Sequence, residues 1–233
     1  MAFGTKMLNG PRLPPARGSA THLVVLCHGY GADGNDLIGL APVWQKLLPT
    51  VAFAAPNAPE RCAGSPGYQW FPISRLDPHA MNSGVHSAAA GLEGFLEAEL
   101  ARNQLPDDRL ALVGFSQGTM MSLHAGLHRK VKPAAIIGYS GMLTNTEGLG
   151  QCGPEAPPIL LVHGDADQMI PAQFLFSSAT ALGHAGAAVQ WHICPQLGHS
   201  IDEKGLVLGG TFLAMAFRGL LRRTAAEICC SVT

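Results

Sequence analysis

The stretch "LALVGFSQGTMM" at residues 110–121 decides the fold that this sequence predicts. Its apolar start, "LALVG" (110–114), predicts a buried strand, and helical spacing of apolar residues follows. Between them, Gly114, Ser116 and Gly118 match Gly-x-Ser-x-Gly, in which a serine occupies a sharp turn from strand to helix. The glycines let neighbouring backbone approach without a Cβ clash. Ser116 is therefore predicted as a nucleophile, and a polar residue in a tight turn is the alternative.

The same alternation of strand and helix runs along the whole chain. Apolar, β-branched runs predict strands at residues 22–27, 51–55, 110–114, 134–139, 159–163 and 188–193. Helical spacing is found at about 36–48, 92–100, 117–129, 173–183 and 203–223. Because parallel strands need such crossovers and continuously apolar strands need cover on both faces, we expect a mostly parallel central sheet with helices on both faces.

The chain length suits one domain. With 233 residues there is room for a single α/β domain over 1–233 and no large cap domain. We expect an extended segment over residues 1–20 and a flexible tail over 225–233. Residues 56–84 are rich in proline and glycine and predict a long functional loop, which carries the aromatic residues Tyr68, Trp70 and Phe71.

Composition excludes several classes of partner. Apolar residues make up 47% of the chain, charged residues 13%, and the net charge is −1, so a large core is expected and nucleic acid is not expected as a partner. Arg218, Arg222 and Arg223 suit the last turn of a C-terminal helix, where cations favour the helix dipole. The start of the chain lacks the pattern of a secretion signal and no run is long and apolar enough to span a membrane, which favours a cytoplasmic protein.

Cysteine and histidine spacing predicts neither a metal site nor a cofactor. The six cysteines form no CxxC pair, and we expect reduced thiols, although Cys229 and Cys230 could oxidise or link chains. His124 and His128 are spaced i, i+4 on a predicted helix, but the sequence offers no obvious third ligand.

Polar residues collect directly after the predicted strands, where α/β proteins bind ligands. A serine nucleophile needs a base and a group that orients the base. His199 follows the last predicted strand, and Asp165 and Asp167 both follow the fifth, so the residues leave two choices for the carboxylate. The order Ser, Asp, His is the one expected of an α/β-hydrolase. The backbone amides of Tyr30 and Gln117 are the predicted oxyanion donors, so that side-chain identity matters less than geometry at both positions.

Several motifs together resemble the phospholipase/carboxylesterase family of α/β-hydrolases, which includes acyl-protein thioesterases and small bacterial carboxylesterases. They are "LCHGYGADGND" (26–36), "APNAP" (55–59), "QWFPI" (69–73), "GFSQGTMMSL" (114–123), "GYSGML" (138–143), "VHGDADQMIP" (162–171) and "LGHS" (197–200). The resemblance implies Ser116 as nucleophile, His199 as general base and acid, Asp167 as orienting carboxylate, and Tyr30 and Gln117 as oxyanion donors. Two departures are Thr119, where the family commonly has glycine, and Pro72, where many relatives have aspartate.

The expected activity is hydrolysis of carboxylic esters, with short- to medium-chain acyl esters as small-molecule substrates. Acyl-protein thioesterase or lysophospholipase activity is the alternative, and a catalytically silent binding protein on this fold is the non-enzyme alternative. The predicted walls of the acyl pocket are Trp70, Phe71, Met142 and Leu143. No long insertion predicts a lid, so we expect an open site, in a monomer or homodimer.

Overall fold

The computed structural model describes residues 7–63, 65–73, 77–145, 149 and 156–221. The strands in chain order are β1 (Arg12–Leu13), β2 (His22–Cys27), β3 (Val51–Ala54), β4 (Glu60–Arg61), β5 (Tyr68–Gln69), β6 (Leu110–Phe115), β7 (Ala135–Tyr139), β8 (Ile159–Gly164) and β9 (Val189–Cys194). The helices are α1 (Gly34–Ile38), α2 (Ala41–Gln45), α3 (Pro78–Asn103), α4 (Gln117–His128), α5 (Gln173–His184) and α6 (Glu203–Phe217). The following positions singled out from the sequence lie outside the described residues: Cys152, Arg222, Arg223, Cys229, Cys230 and the 225–233 tail.

The central sheet has the strand order β1-β3-β2-β6-β7-β8-β9 within the described part of the chain. Its pairs are parallel, apart from the short strand β1, which pairs antiparallel with β3. The prediction of a mostly parallel sheet is confirmed, and every predicted strand is present to within about one residue at each end. Strands β4 and β5 form a separate antiparallel hairpin inside the predicted long loop.

Helices cover both faces of the sheet, as predicted. Along β2, Leu23 and Val25 join the core that contains residues of α3 and α4, while Val24 and Leu26 join the core that contains residues of α2 and α6. Alternate side chains of a strand point to opposite faces, so an apolar run of this kind is buried on both sides. Each such side chain contributes roughly 1.5–3 kcal/mol when fully buried.

The predicted helix at 36–48 is two short helices instead. Helix α1 begins after Asp33, whose side chain accepts from the amides of Asn35 and Asp36, and it ends at Ile38. Pro42 lies in the first turn of α2. Proline lacks an N–H and its ring clashes with the carbonyl four residues earlier, so a continuous helix through this position is disfavoured.

Two other helix boundaries differ from the prediction. Helix α3 begins at Pro78, inside the segment predicted as loop, because Asp77 caps it by accepting from the His79 amide at 3.0 Å. Helix α6 ends at Phe217 because Gly219 adopts a left-handed conformation, with φ of 73°. Arg218 is therefore the residue that caps the helix and does not lie within its last turn. No helix in the described ranges is both long and apolar enough to cross a membrane.

Candidate active site

Ser116 occupies the turn between β6 and α4 in a strained backbone conformation. Its φ is 54° and its ψ is −116°, values that a residue with a side chain rarely adopts. The Ser116 amide donates to the Tyr139 carbonyl oxygen at 2.9 Å, which fixes the turn against β7. A Cβ on Gly118 would collide with the carbonyl of Cys27. The glycine thus lets the start of α4 pack against β2, as the Gly-x-Ser-x-Gly pattern predicts.

Asp167 and His199 are in direct contact across the loops that follow β8 and β9. The Asp167 Oδ2 atom lies 2.7 Å from His199 Nδ1. The other carboxylate oxygen, Oδ1, accepts from the amides of Met169 and Ile170, both at 2.9 Å. The Asp167 side chain is fully buried, whereas 14% of the His199 side chain remains exposed. A buried carboxylate held by backbone donors and aimed at one ring nitrogen orients the imidazole and favours a proton on its Nδ1.

The structure distinguishes Asp165 from Asp167, the two aspartates between which the sequence pattern alone gave no choice. Asp165 is exposed, and its Oδ1 atom accepts from the Gln196 amide at 2.6 Å. It therefore links the loops after β8 and β9 and makes no hydrogen bond to His199 among the described residues. Asp167 is the aspartate in contact with the histidine.

A second imidazole contacts the same carboxylate. His163, at the end of β8, is 1% exposed, and its Nε2 atom lies 3.2 Å from Asp167 Oδ2 and 2.7 Å from the Ile170 carbonyl oxygen. Both neighbours are acceptors, so this nitrogen carries a hydrogen. Sequence reasoning gave His163 no role, although its place at the end of a predicted strand was a usable signal.

The His199 ring contacts the residue that precedes Ser116 and makes no hydrogen bond to the serine in the described part of the chain. The ring packs on Phe115, with ring centroids 5.0 Å apart. The Ser116 hydroxyl makes no hydrogen bond to His199 in the described part of the chain. Such contacts are often loose without substrate and tighten when it binds.

The two predicted oxyanion donors have unoccupied backbone amides. Tyr30 lies in the loop after β2, and a Cβ on its neighbour Gly29 would be 3.2 Å from the Ser116 Cβ, so this loop lies against the serine. Gln117 begins α4. Within the described ranges, neither the Tyr30 nor the Gln117 amide donates a hydrogen bond. One unpaired amide follows the serine in the chain and the other lies in the loop packed against it, and two such donors suit an anionic oxygen.

The four predicted pocket residues are mostly buried. Trp70, Phe71 and Met142 are each at most 3% exposed and belong to the core that contains residues of α3 and α4. Leu143 is partly buried, and its amide donates to the Ser178 hydroxyl at 2.9 Å. Their contact with an acyl chain stays a prediction, and the structure adds a packing role for three of them.

Thr119, which stands where the family commonly has glycine, is buried and has no exposed surface. Its side chain is fully buried, and its Oγ1 atom lies 2.9 Å from the Gly114 carbonyl and 2.8 Å from the Tyr139 carbonyl. Its methyl group faces Gly138 and Gly141. The residue therefore joins α4 to β6 and β7 beneath the serine turn.

The described cysteines are buried thiols, and His86, His124 and His128 form a histidine cluster between α3 and α4. Cys27, Cys62 and Cys194 are buried free thiols, and burial raises the pKa of Cys27 to about 12, which keeps it protonated. His86 on α3 lies beside His124, with ring centroids 4.6 Å apart. Nevertheless, no group of three or more histidine, cysteine or carboxylate side chains there is arranged to hold a metal ion.

Comparisons with known proteins show the family to which the chain is similar. The model of the Phospholipase/Carboxylesterase family matches residues 9–216. An acyl-protein thioesterase 1 from Neurospora crassa is 29% identical over 210 residues, covering 82% of this chain and 84% of its own length. The counterpart from Schizosaccharomyces pombe is 30% identical over 174 residues, covering 69% of this chain and 74% of its own.

Solved structures of esterases and thioesterases are also similar to this chain. The crystal structure of esterase PE8 superposes with a TM-score of 0.84 at 40% identity, covering 92% of this chain and 100% of that one. The crystal structure of Zea mays acyl-protein thioesterase 2 superposes with a TM-score of 0.72 at 23% identity, covering 90% of this chain and 99% of that one, and shows likeness of fold.

Proposed function

Because the chain belongs to the phospholipase/carboxylesterase family of α/β-hydrolases, we propose that Ser116, His199 and Asp167 are its catalytic triad. The chain is a hydrolase of the carboxylesterase and acyl-protein thioesterase class, as predicted. The non-enzyme alternative is therefore set aside. The contact that carries the proposal is the 2.7 Å hydrogen bond between the buried Asp167 carboxylate and His199 Nδ1. It leaves His199 Nε2 as the nitrogen that can accept a proton.

In the first half of the proposed reaction, Ser116 Oγ attacks the carbonyl carbon of an ester while His199 Nε2 takes the hydroxyl proton. The carbonyl oxygen becomes an oxyanion, which accepts from the free amides of Tyr30 and Gln117. The tetrahedral intermediate then expels the alcohol, which receives the proton from His199. Each oxyanion donor lowers the barrier by about 3 kcal/mol.

In the second half, water attacks the acyl-enzyme. His199 takes a proton from the water, the same two amides hold the second oxyanion, and the ester bond to Ser116 breaks. The carboxylic acid leaves and the serine regains its proton. Asp167 stays ionised throughout and stabilises the imidazolium that forms in each half.

We propose carboxylic esters with short- to medium-chain acyl groups as the small-molecule substrates. The esterase PE8 structure, at 40% identity, supports an ester substrate. The fungal acyl-protein thioesterases support the thioester alternative, which needs the same nucleophile, base and oxyanion donors. We place the acyl group near Leu143, the least buried of the four predicted pocket residues. The free thiols of Cys27, Cys62 and Cys194 suit a reducing compartment and support a cytoplasmic location.

Covalent labelling tests the assignment of the nucleophile. A fluorophosphonate probe should form a phosphorus–oxygen bond to Ser116 Oγ, with release of fluoride and transfer of the hydroxyl proton to His199. Peptide mapping by mass spectrometry should place the adduct on Ser116 and leave the exposed Ser177 unmodified. An adduct on another residue, or none, would rule out the proposed triad.

A further inference from the structure

The Gln117 side chain is fully buried, although the proposed oxyanion role of this residue uses only its backbone amide. Its Oε1 atom accepts from the Trp70 amide at 2.9 Å, and its Nε2 atom donates to the Phe71 carbonyl oxygen at 2.7 Å. Both ends of the side-chain amide are therefore bound to consecutive residues of one backbone segment. The side chain therefore has two buried partners of its own, in addition to the backbone amide on which the sequence prediction depends.

The Trp70 side chain extends from that segment to the loop after β2. Its indole Nε1 atom donates to the His28 carbonyl oxygen at 2.9 Å, and the residue is 1% exposed. His28 lies two residues before Tyr30 in the chain. Trp70 thus contacts two elements. Its backbone amide binds the start of α4, and its side chain binds the loop that carries the other oxyanion donor.

The same segment also binds the other side of that loop. The Gly31 amide donates to the Tyr68 carbonyl at 2.9 Å, and the Tyr68 amide donates to the Ala32 carbonyl at 2.8 Å. Tyr30 is therefore flanked on both sides by residues bonded to Tyr68 or Trp70.

His28 stiffens the loop from within. Its Nδ1 atom lies 2.7 Å from the Gly29 carbonyl oxygen, and its Nε2 atom accepts from the Ala58 amide at 3.0 Å. A carbonyl only accepts and an amide only donates, so the ring is neutral with its hydrogen on Nδ1. Burial lowers the pKa of His28, which favours this neutral form.

We propose that residues 68–71 form a brace that sets the spacing of the two oxyanion-donor amides, with the Gln117 side chain and the Trp70 indole as positioning residues. This inference rests on the proposed function, because it concerns the amides assigned there to the oxyanion. The two amides belong to different loops, and each must lie about 2.7–3.1 Å from one oxygen atom. A buried brace keeps them in place before substrate arrives, so no reorganisation is needed during the reaction.

Replacement of one indole by a benzene ring tests the brace. Trp70→Phe removes the bond to the His28 carbonyl. Trp44→Phe is the matched control, since Trp44 is 2% exposed and its Nε1 atom donates to the Leu206 carbonyl at 2.8 Å, on α6. With p-nitrophenyl butyrate, we expect Trp70→Phe to lower kcat about 10- to 100-fold with KM nearly unchanged, because a shift of one donor by about 1 Å has effects of that size. Trp44→Phe should leave both constants unchanged.

A tetrahedral mimic gives a second readout that a merely structural role would not change. The boron of butylboronic acid accepts a lone pair from Ser116 Oγ, so a boron–oxygen bond forms and the hydroxyl proton passes to His199. One oxygen of the resulting tetrahedral boronate takes the place of the oxyanion. Its inhibition constant should rise in Trp70→Phe by the same factor as kcat falls. Gln117→Met keeps the backbone amide and a similar volume but loses both side-chain hydrogen bonds. It should likewise lower kcat and raise the inhibition constant, and it replaces Trp70→Phe as the test if that variant fails to fold.

Equal kcat and equal boronate affinity in Trp70→Phe and Trp44→Phe would overturn the proposal of a brace. A change in the KM of Trp70→Phe without a change in its kcat would overturn it too. These outcomes differ from failure of the proposed function, in which Ser116 would not be labelled by the fluorophosphonate probe at all.

Discussion

Asp167 Oδ2 lies 2.7 Å from His199 Nδ1, although the two residues are 32 positions apart in the chain. The contact exists because β8 and β9 are adjacent and parallel, so the loops after them meet at one edge of the sheet. The backbone donors from Met169 and Ile170 occupy the other carboxylate oxygen and leave Oδ2 directed at the imidazole. This relationship orients the proposed general base and leads to the first two predictions.

Asp167→Asn should lower kcat by about 10³- to 10⁴-fold, because the amide no longer stabilises the imidazolium or holds the required tautomer. Asp165→Asn is the matched control in the same loop. Asp165 is exposed and its side chain hydrogen-bonds only to the Gln196 amide among the described residues, so kcat should stay close to that of the unchanged protein. Steady-state hydrolysis of p-nitrophenyl butyrate measures both. A larger loss in Asp165→Asn would contradict the assignment.

His163 should act on catalysis through Asp167. His163→Leu removes the Nε2 donor and is expected to lower kcat about 10-fold with little change in KM, while His163→Gln, whose side-chain nitrogen replaces Nε2, should restore most of it. The same His163→Leu change made in the Asp167→Asn protein should have almost no further effect on kcat, because contacting residues are not additive. Full additivity in this double-mutant cycle would show that His163 has only a packing role.

Thr119 should affect stability more than turnover. Thr119→Val keeps the shape of the side chain but removes the hydroxyl that bonds the Gly114 and Tyr139 carbonyls, and we expect a loss of about 1–3 kcal/mol in the free energy of unfolding. Thr119→Ser keeps the hydroxyl and should recover part of it. Urea unfolding followed by circular dichroism gives both values. Unchanged stability in Thr119→Val would contradict this role.

Stability should fall in mild acid. Burial and the nearby His128 and His86 lower the pKa of His124 from 6.5 to about 4. The unfolded chain therefore takes up this proton at a higher pH than the folded protein does. Protonation of His124 in the unfolded chain has no effect on the free energy of unfolding above about pH 6.5, and it lowers that free energy as the pH falls from about 6.5 towards about 4. Burial likewise lowers the pKa of His22 to about 4, with a smaller contribution from Arg109.

The free energy of unfolding, measured in urea between pH 8 and pH 4, checks this dependence. His124→Gln should flatten its slope below pH 6.5, whereas replacement of the exposed His184 by glutamine should not. The salt bridge between Glu93, on α3, and Arg129, the residue directly after α4, is unchanged in both variants. Identical slopes in His124→Gln and the unchanged protein would show that this cluster does not titrate as described.

The sequence was sufficient to predict the sheet and to propose a triad, and insufficient where a contact depends on distant segments. Short continuous apolar runs such as residues 159–162 favour buried strands, which made the sheet predictable. The choice between Asp165 and Asp167 rested on family resemblance, because both lie in one loop and only the folded position of His199 separates them. The Gln117 side chain could not be assigned at all, since its partner Trp70 lies 47 residues away.

The central claim is that Ser116 is the nucleophile, and the turnover of p-nitrophenyl butyrate by Ser116→Ala tests it most directly. Ser177→Ala, at an exposed serine on α5, is the control, and equal thermal unfolding temperatures would show that both variants are folded. We expect kcat of Ser116→Ala to fall by about 10⁴-fold or more while Ser177→Ala keeps full activity. Unchanged turnover in a folded Ser116→Ala protein would contradict the proposed mechanism.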